Sequence, residues 1–590
     1  MKEYLRLKEE HSNNHFKLNK QYNLISIVRL LIGLSFLICL FYYLKTDHLI
    51  FLLLLPVWLF SFLSLMKIHQ KVALKRRIKK TLISINDDEI SYLRKESIPF
   101  YNGIECKDDA HPYSNDLDIF GNNSLFQHLN RTATYIGKAM LSDSLLSKLP
   151  NEKIISNQEA IKELAQKVNW RQYLLARAKI TNDSKGVFER LVNWSKVKER
   201  KLSSVLIVIS YGFPMLLVGC LLLFYLTDNR VYAYSASLLF LLNLLTLATQ
   251  LKRIKKEISD SDRIHQVIKN YSSIIESIEN ESFESPKLNL LKNKLEYNTV
   301  PASKQIRVLS SLYADMQNIL NPMGAVLLNG LFLYHLHSLK ALLNWKAEFA
   351  EHISTWFDVI GEFEMLNSFA NFSFNNPQFT FPVLNDDQKI ILHDLGHPLI
   401  KAETRVTNTV EFNAHKFIIL TGSNMSGKST FLRTLGVNMV LAGTGAPICS
   451  SFANLYPLDI LASMRLSDSL SDSESYFFAE VKRLKQIMER LDKGVCLVLL
   501  DEILRGTNSD DKRSGTIEVI KKMIAKGVMG IAATHDLEVC LMTDEYPDIL
   551  TNKCFEVEIL NNDLSFDYKL RDGICKNKSA TFIMRKMEVI

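Results

Sequence analysis

Four runs of roughly twenty apolar residues constrain this chain more than any other feature. They occupy residues 24–44, 48–66, 203–226 and 231–248. A helix needs ~20 such residues to cross ~30 Å of hydrocarbon, and a lone segment in that medium must be helical to pair its own backbone. No charge interrupts the runs apart from Arg29 near one edge, and the connections "KTD" and "TDNR" leave room only for tight hairpins. Basic stretches flank them: "KIHQKVALKRRIKK" (67–80) after the first pair, "KVKERK" (196–201) and "LKRIKK" (251–256) around the second. Positive residues stay on the cytoplasmic side, so these flanks, both termini and everything folded between them are expected in the cytoplasm. The expectation is a multi-pass cell-membrane protein whose first partner is lipid. A fifth run, "GAVLLNGLFLYHLHSLKALLNW" (324–345), is broken by Asn329, His335 and His337 and keeps helical periodicity. It reads as a core helix of a soluble domain.

At 590 residues the chain is too long for one core, and 47% hydrophobic content with mean hydropathy near zero fits a few spans attached to large soluble parts. The net charge of +8 gathers beside the apolar runs, where lipid headgroups and topology account for it. Eight scattered cysteines, with no CxxC, suit reduced thiols and give no metal-ligand spacing. No cleavable leader is evident, and residues 1–23 read as a short polar tail. The expected divisions are 1–81 (tail and first hairpin), 82–202 (helical core, first part), 203–250 (second hairpin), 251–375 (helical core or lever) and 376–590. In the last, short β-branched runs "KFIILTG", "GVCLVLLDE" and "GVMGIAATH" alternate with helices, which predicts a parallel sheet in an α/β domain.

That domain carries the chemistry. Gly422-Ser423-Asn424-Met425-Ser426-Gly427-Lys428-Ser429 matches GxxxxGK[ST], after an apolar strand and before a helix that opens with Thr430. This is the phosphate-binding loop: its amides turn onto phosphate oxygens, Lys428 brings a point charge, and Ser429 is placed for Mg²⁺. "VCLVLLDE" (495–502) reads as a buried strand ending in two acids. Asp501 would hold Mg²⁺ through a water, and Glu502 would orient or deprotonate the attacking water. "IAATHD" (531–536) ends a third strand at His535, positioned for the γ-phosphate or that water. ATP and Mg²⁺ are therefore the expected cofactors.

"TGSNMSGKSTFLRT", "LLDEILRGTNSDD" and "ATHD", in this order and spacing, closely resemble the C-terminal ATPase domain of the MutS mismatch-repair family. The resemblance implies an α/β P-loop NTPase, an ABC-like head with a parallel sheet, joined to an all-α MutS-like core, to which the apolar runs add four transmembrane helices. "SLSDSESYFFAEVKRL" (469–484) looks like the family's signature segment, which reaches the nucleotide of the opposite subunit; Ser475 is then the contact in trans, although acids replace the usual flanking glycine. "HPLI" (397–400) and "VTN" (406–408) resemble the stretch lining the adenine, and 117–146, 157–164 and 362–382 look like the start and end of the MutS core. The departures matter for function: no room before residue 24 for a mismatch-reading domain, no Phe-x-Glu wedge, and a membrane hairpin inside the core. The resemblance implies a homodimeric Mg²⁺-dependent ATPase with DNA as a family-implied ligand, and the departures make it a membrane-anchored MutS-like protein lacking the mismatch-reading domain. The alternatives are an ATP-driven transporter, for which charge-free spans offer no path, and a nucleotide-gated scaffold, against which Glu502 argues.

Overall fold

The computed structural model describes every residue except 182, 259–260, 321, 466–475, 493, 561–562 and 576–590. The first two apolar runs are halves of much longer helices, α1 (Lys2–Thr46) and α2 (Leu49–Leu93), which form one antiparallel hairpin closed by Asp47 in the left-handed conformation. The core helices between the hairpins include α3 (Tyr135–Ser144), α4 (Asn151–Gln166) and α5 (Val168–Thr181), and the second pair is α6 (Ser204–Thr227) and α7 (Arg230–Ile258). The Ser203 hydroxyl caps α6 by accepting from the Leu206 amide, and Asp228 turns the chain back. By length and composition these four helices are long and apolar enough to cross a membrane.

Residues 1–23 are not a loose polar tail. They are the first turns of α1, and Tyr4 and Leu7 are fully buried against Ile90 of α2 and Val168 of α5. The Tyr4 hydroxyl donates to Asn375 Oδ1 at 2.8 Å. Beside it the buried Glu89 of α2 accepts from Arg131 and from the amides of Asn371 (3.0 Å) and Asn375 (3.1 Å). Asn371 and Asn375 end the helix Ile353–Asn375, which leads into the α/β part, so the first hairpin is docked on the head's supporting helix. The sequence placed polar residues here without saying that they face protein.

The fifth run is not one helix. It divides at Leu333, whose φ is 50°, into Pro322–Phe332 and Tyr334–Phe349. The second half is buried core, as expected; the first half leaves large apolar side chains exposed.

From 376 on, the described residues form two larger sheets and a two-stranded antiparallel ribbon, Glu558–Leu560 with Asp563–Ser565. A four-stranded mixed sheet (Val383–Leu384, Phe452–Leu455, Ile390–Leu395, Asn408–Phe412, in spatial order) precedes and flanks the main one and has no counterpart in the sequence reading. The main sheet consists of β1 (Phe417–Gly422), β2 (Asp459–Ser463), β3 (Cys496–Asp501), β4 (Met529–Ala533), β5 (Leu550–Phe555) and β6 (Leu570–Asp572), ordered β6-β5-β1-β4-β3-β2. All neighbours are parallel except β6, which runs antiparallel on the edge. The three strands read from the sequence are its centre. They are buried on both faces: Ile418 and Leu420 join the core shared with the helices, while Phe417 and Ile419 join a second core beneath the helix Ser509–Ala525. Period-two alternation with both sets apolar is what a covered parallel sheet demands.

Candidate nucleotide site

Parallel strands deliver their C-terminal ends to one edge, and the chemistry-bearing residues collect there. β1 ends at Gly422, and the loop that follows opens the helix Lys428–Thr444 through Gly427, whose φ of 103° suits a residue without a Cβ. Lys428 is buried, with Nζ donating to the Gly422 carbonyl (2.8 Å) and the Ser423 carbonyl (3.1 Å); burial lowers its pKa. Ser429 donates to Asp501 Oδ2 at 2.5 Å, tying the helix start to the end of β3.

Glu502 follows in the left-handed region (φ 51°) and pairs with His535 Nε2 at 2.7 Å, beyond the end of β4. The hydrogen bond from His535 pulls the Glu502 carboxyl down to about 2. His535 Nε2 also lies 3.3 Å from Lys428 Nζ, but the shorter carboxylate contact defines its partner. A cavity of about 410 Å³ opens over these groups. Its polar floor is the loop from Ser423 to Thr430, with Asn424 and Met425 at the exposed rim. His397, Ile400, Val406 and Asn408 form one wall, and Phe555 and Tyr568 another. Burial pushes the His397 imidazole down to about 4, so it meets a ligand as the neutral ring.

The donor set fits a phosphate and a hard cation. The buried Ser423 Oγ, Ser426 Oγ and Asp501 Oδ1 have no hydrogen-bond partner among the described residues. Buried polar atoms left unmatched cost ~1–3 kcal/mol each, and an anion with an oxygen-liganded cation would satisfy all three. Gly422 to Thr430, Asp501, Glu502 and His535 are thus brought to one place; Ser475 lies outside the described residues.

Sequence reasoning missed Glu480. It sits on the helix Tyr476–Leu491, is 2% exposed, and accepts from the backbone amides of Leu504 (2.6 Å) and Arg505 (3.0 Å). It fixes the turn that carries Glu502 and the left-handed Leu504 (φ 63°). Its only sequence signal was an acid at an inward position of an amphipathic helix. Tyr568 had none, because it reaches the cavity from a loop before the edge strand.

Residues 418–588 match the family model of MutS domain V. The chain is similar to the DNA mismatch repair protein MutS of Pseudothermotoga lettingae (33% identity, over 33% of this chain and 24% of that protein). It is similar also to MutS protein homolog 4 of Homo sapiens (28%; 40% and 26%) and to Endonuclease MutS2 of Lactococcus lactis subsp. lactis (29%; 35% and 27%). The chain therefore spans about a quarter of the length of the curated relatives it matches. The match begins in the strand before the loop and takes in Asp501, Glu502 and His535, so residues 418–588 belong to the MutS domain V family.

Proposed function

We propose that this chain is a Mg²⁺-dependent ATPase held at the cell membrane by its two apolar hairpins, with the head in the cytoplasm. The observation that carries the reading is the meeting of Lys428, the Ser429–Asp501 contact and the three unmatched buried oxygens at the mouth of one cavity. Lys428 binds the β/γ-phosphates, and the loop amides orient them. Ser429 and Asp501 would hold Mg²⁺, which when bound neutralises phosphate charge. Glu502, ionised throughout the working range while His535 donates to it, orients the attacking water by accepting its hydrogen bond. His397 and Val406 flank the base.

The head works as a homodimer in this reading. The chain has one phosphate loop and one signature-like segment, and two copies related by a two-fold axis give each site the other's Ser475. Confinement to a membrane plane raises their effective concentration. The divisions 1–81, 82–202, 203–250, 251–375 and 376–590 then act as anchor, core, second anchor, lever and motor. For the target there are two readings. The relatives' names, two of them mismatch repair or endonuclease proteins, favour DNA. The four apolar helices favour an ATP-driven membrane protein whose heads move hairpins without DNA.

The chemistry is tested with the full chain in detergent. Lys428→Ala should lose ATP binding, whereas Glu502→Gln should bind ATP and lose turnover ~10²–10⁴-fold. Wild-type turnover in Glu502→Gln would refute the assignment of that carboxylate. Binding to duplex DNA that weakens steeply with salt selects the first target, and its absence the second.

A further inference from the structure

The half-helix exposed by the break at Leu333 has a use that neither reading above assigns. Among the helices beyond α7 are α8 (Ala302–Gln317), α9 (Pro322–Phe332) and α10 (Tyr334–Phe349). We propose that α9 lies in the plane of the membrane, with its free face in the acyl chains of the leaflet facing the head. This rests on reading α6 and α7 as membrane helices.

Length excludes a span. Eleven residues rise ~16 Å, half of what a crossing needs. The chain turns through 83° at Leu333, which sets α9 across the direction of the helix that follows. It packs on α6 and α7 closely enough that a Cβ on Gly330 would lie 2.1 Å from the Phe240 ring. Phe240 lies ten residues from Arg230, and Asn243, which also touches the turn, nine from Lys252. The half-helix therefore meets α7 within the uncharged stretch between that helix's charged ends.

A broken helix survives in hydrocarbon only if its freed backbone groups are paired within the protein. Here side chains pair two of them. The turn deprives the Gly330 carbonyl of its helical donor, and the fully buried Asn243 amide donates to it at 2.8 Å. The His335 amide donates to Asn329 Oδ1 at 2.9 Å, and Asn329 Nδ2 donates to the Ala325 carbonyl at 2.6 Å. In α6, Pro214 cannot donate to the Ser210 carbonyl, and His337 Nε2 takes that place at 3.0 Å.

What remains outside is apolar. Met323 is 78% exposed, Leu327 54% and Phe332 50%, beside Leu238 and Leu241 of α7 and Met215 of α6, which are also exposed. No Asp, Glu, Lys or Arg occurs from 316 to 339. The bounding charges, Asp315 and Lys340, mark the edge of the uncharged layer; Lys340 is seven residues past Leu333, ~10 Å along α10. That matches the depth of ~5–10 Å at which an in-plane helix buries its apolar face.

The test places p-benzoylphenylalanine, one site at a time, at Leu327, at Met323 as a second position on the same face, at Val218 on α6, and at Leu290, exposed on the helical core. The full chain is reconstituted in phosphatidylcholine–phosphatidylglycerol vesicles, irradiated, and read by the mass of one added phospholipid. Lipid adducts at 327 and 323 within about two-fold of 218, and about ten-fold above 290, are expected for a face buried in acyl chains. Adducts at 218 alone would overturn the in-plane helix and leave the anchoring intact. None at 218 either would remove the anchoring, and this inference with it. Cross-links from 327 and 323 to a second copy of the chain in place of lipid would also overturn it.

Discussion

Replacing Glu480 tests whether the turn after β3 must be held for turnover. The side chain is 2% exposed and accepts two backbone amides at 2.6 and 3.0 Å. Hydrogen bonds to an ionised group are worth ~1.5–3 kcal/mol each. The turn they hold contains two residues at positive φ, Glu502 and Leu504, a conformation that persists only when its surroundings enforce it. Glu480→Ala removes both acceptors and leaves two amides unmatched; if ~3 kcal/mol of that restraint was keeping Glu502 in place, turnover falls ~100-fold at ~1.4 kcal/mol per decade. Glu480→Gln keeps one acceptor and should lose ~10-fold. Lys428, Ser429 and Asp501 belong to other segments, so KM for ATP and the binding of a fluorescent ATP analogue should stay within about two-fold. The assay is steady-state phosphate release by the full chain in detergent, with circular dichroism as the folding control. A wild-type kcat in Glu480→Ala, or a loss carried by KM while kcat holds, would refute the reasoning.

Glu89→Gln should lower stability by ~3–5 kcal/mol in thermal unfolding, because it strands the buried Arg131; adding Arg131→Met should restore part of it, and no restoration would mean that packing, not charge, dominates there. Glu502 has a folded pKa of about 2 against 4.5 when free, so its contribution to stability is complete above pH 4.5 and is lost as the pH falls toward 2. Acid unfolding curves of wild type and Glu502→Gln should converge across that window, and parallel curves would contradict the His535 pairing. Mixing inactive Lys428→Ala and Ser475→Arg chains should recover part of the ATPase activity, since one composite site in each mixed dimer keeps both intact halves; no recovery, with a monomeric mass when ATP is bound, would sink the dimer.

The parts of this molecule that were readable from sequence are those fixed by local rules. An apolar run of twenty residues has few alternatives to a helix, and the strands Phe417–Gly422, Cys496–Asp501 and Met529–Ala533 announced themselves by β-branched and leucine-rich runs between breakers. The loop from Gly422 to Ser429 was legible because its backbone path needs those glycines. What was hidden depends on distant partners. Tyr4 and Leu7 sit in a stretch whose composition is that of a tail, and only contact with Ile90 and Val168 makes it structure. Leu333, where the helix breaks, is neither Gly nor Pro; Asn329 and Asn243 support the turn by pairing one amide and one carbonyl that it frees. Glu480 is an acid where the helix pattern asks for an apolar residue, a discrepancy that makes sense only once the turn it supports is visible.

The first hairpin is a long, stiff pair of rods. Each helix holds 45 residues, ~67 Å end to end, and only the distal part carries the apolar run. Its root is clamped at Tyr4 and Glu89 to the last turns of the helix that runs into the head. A rod clamped at one end converts angle into distance: a tilt of about 5° at the root sweeps the far tip through about 6 Å at this length. The second hairpin leaves the core directly from Ser203 and has no comparable stalk. Under the membrane reading proposed above, rotation of the head would therefore displace the two hairpins by different amounts, changing their spacing even when neither changes its internal structure.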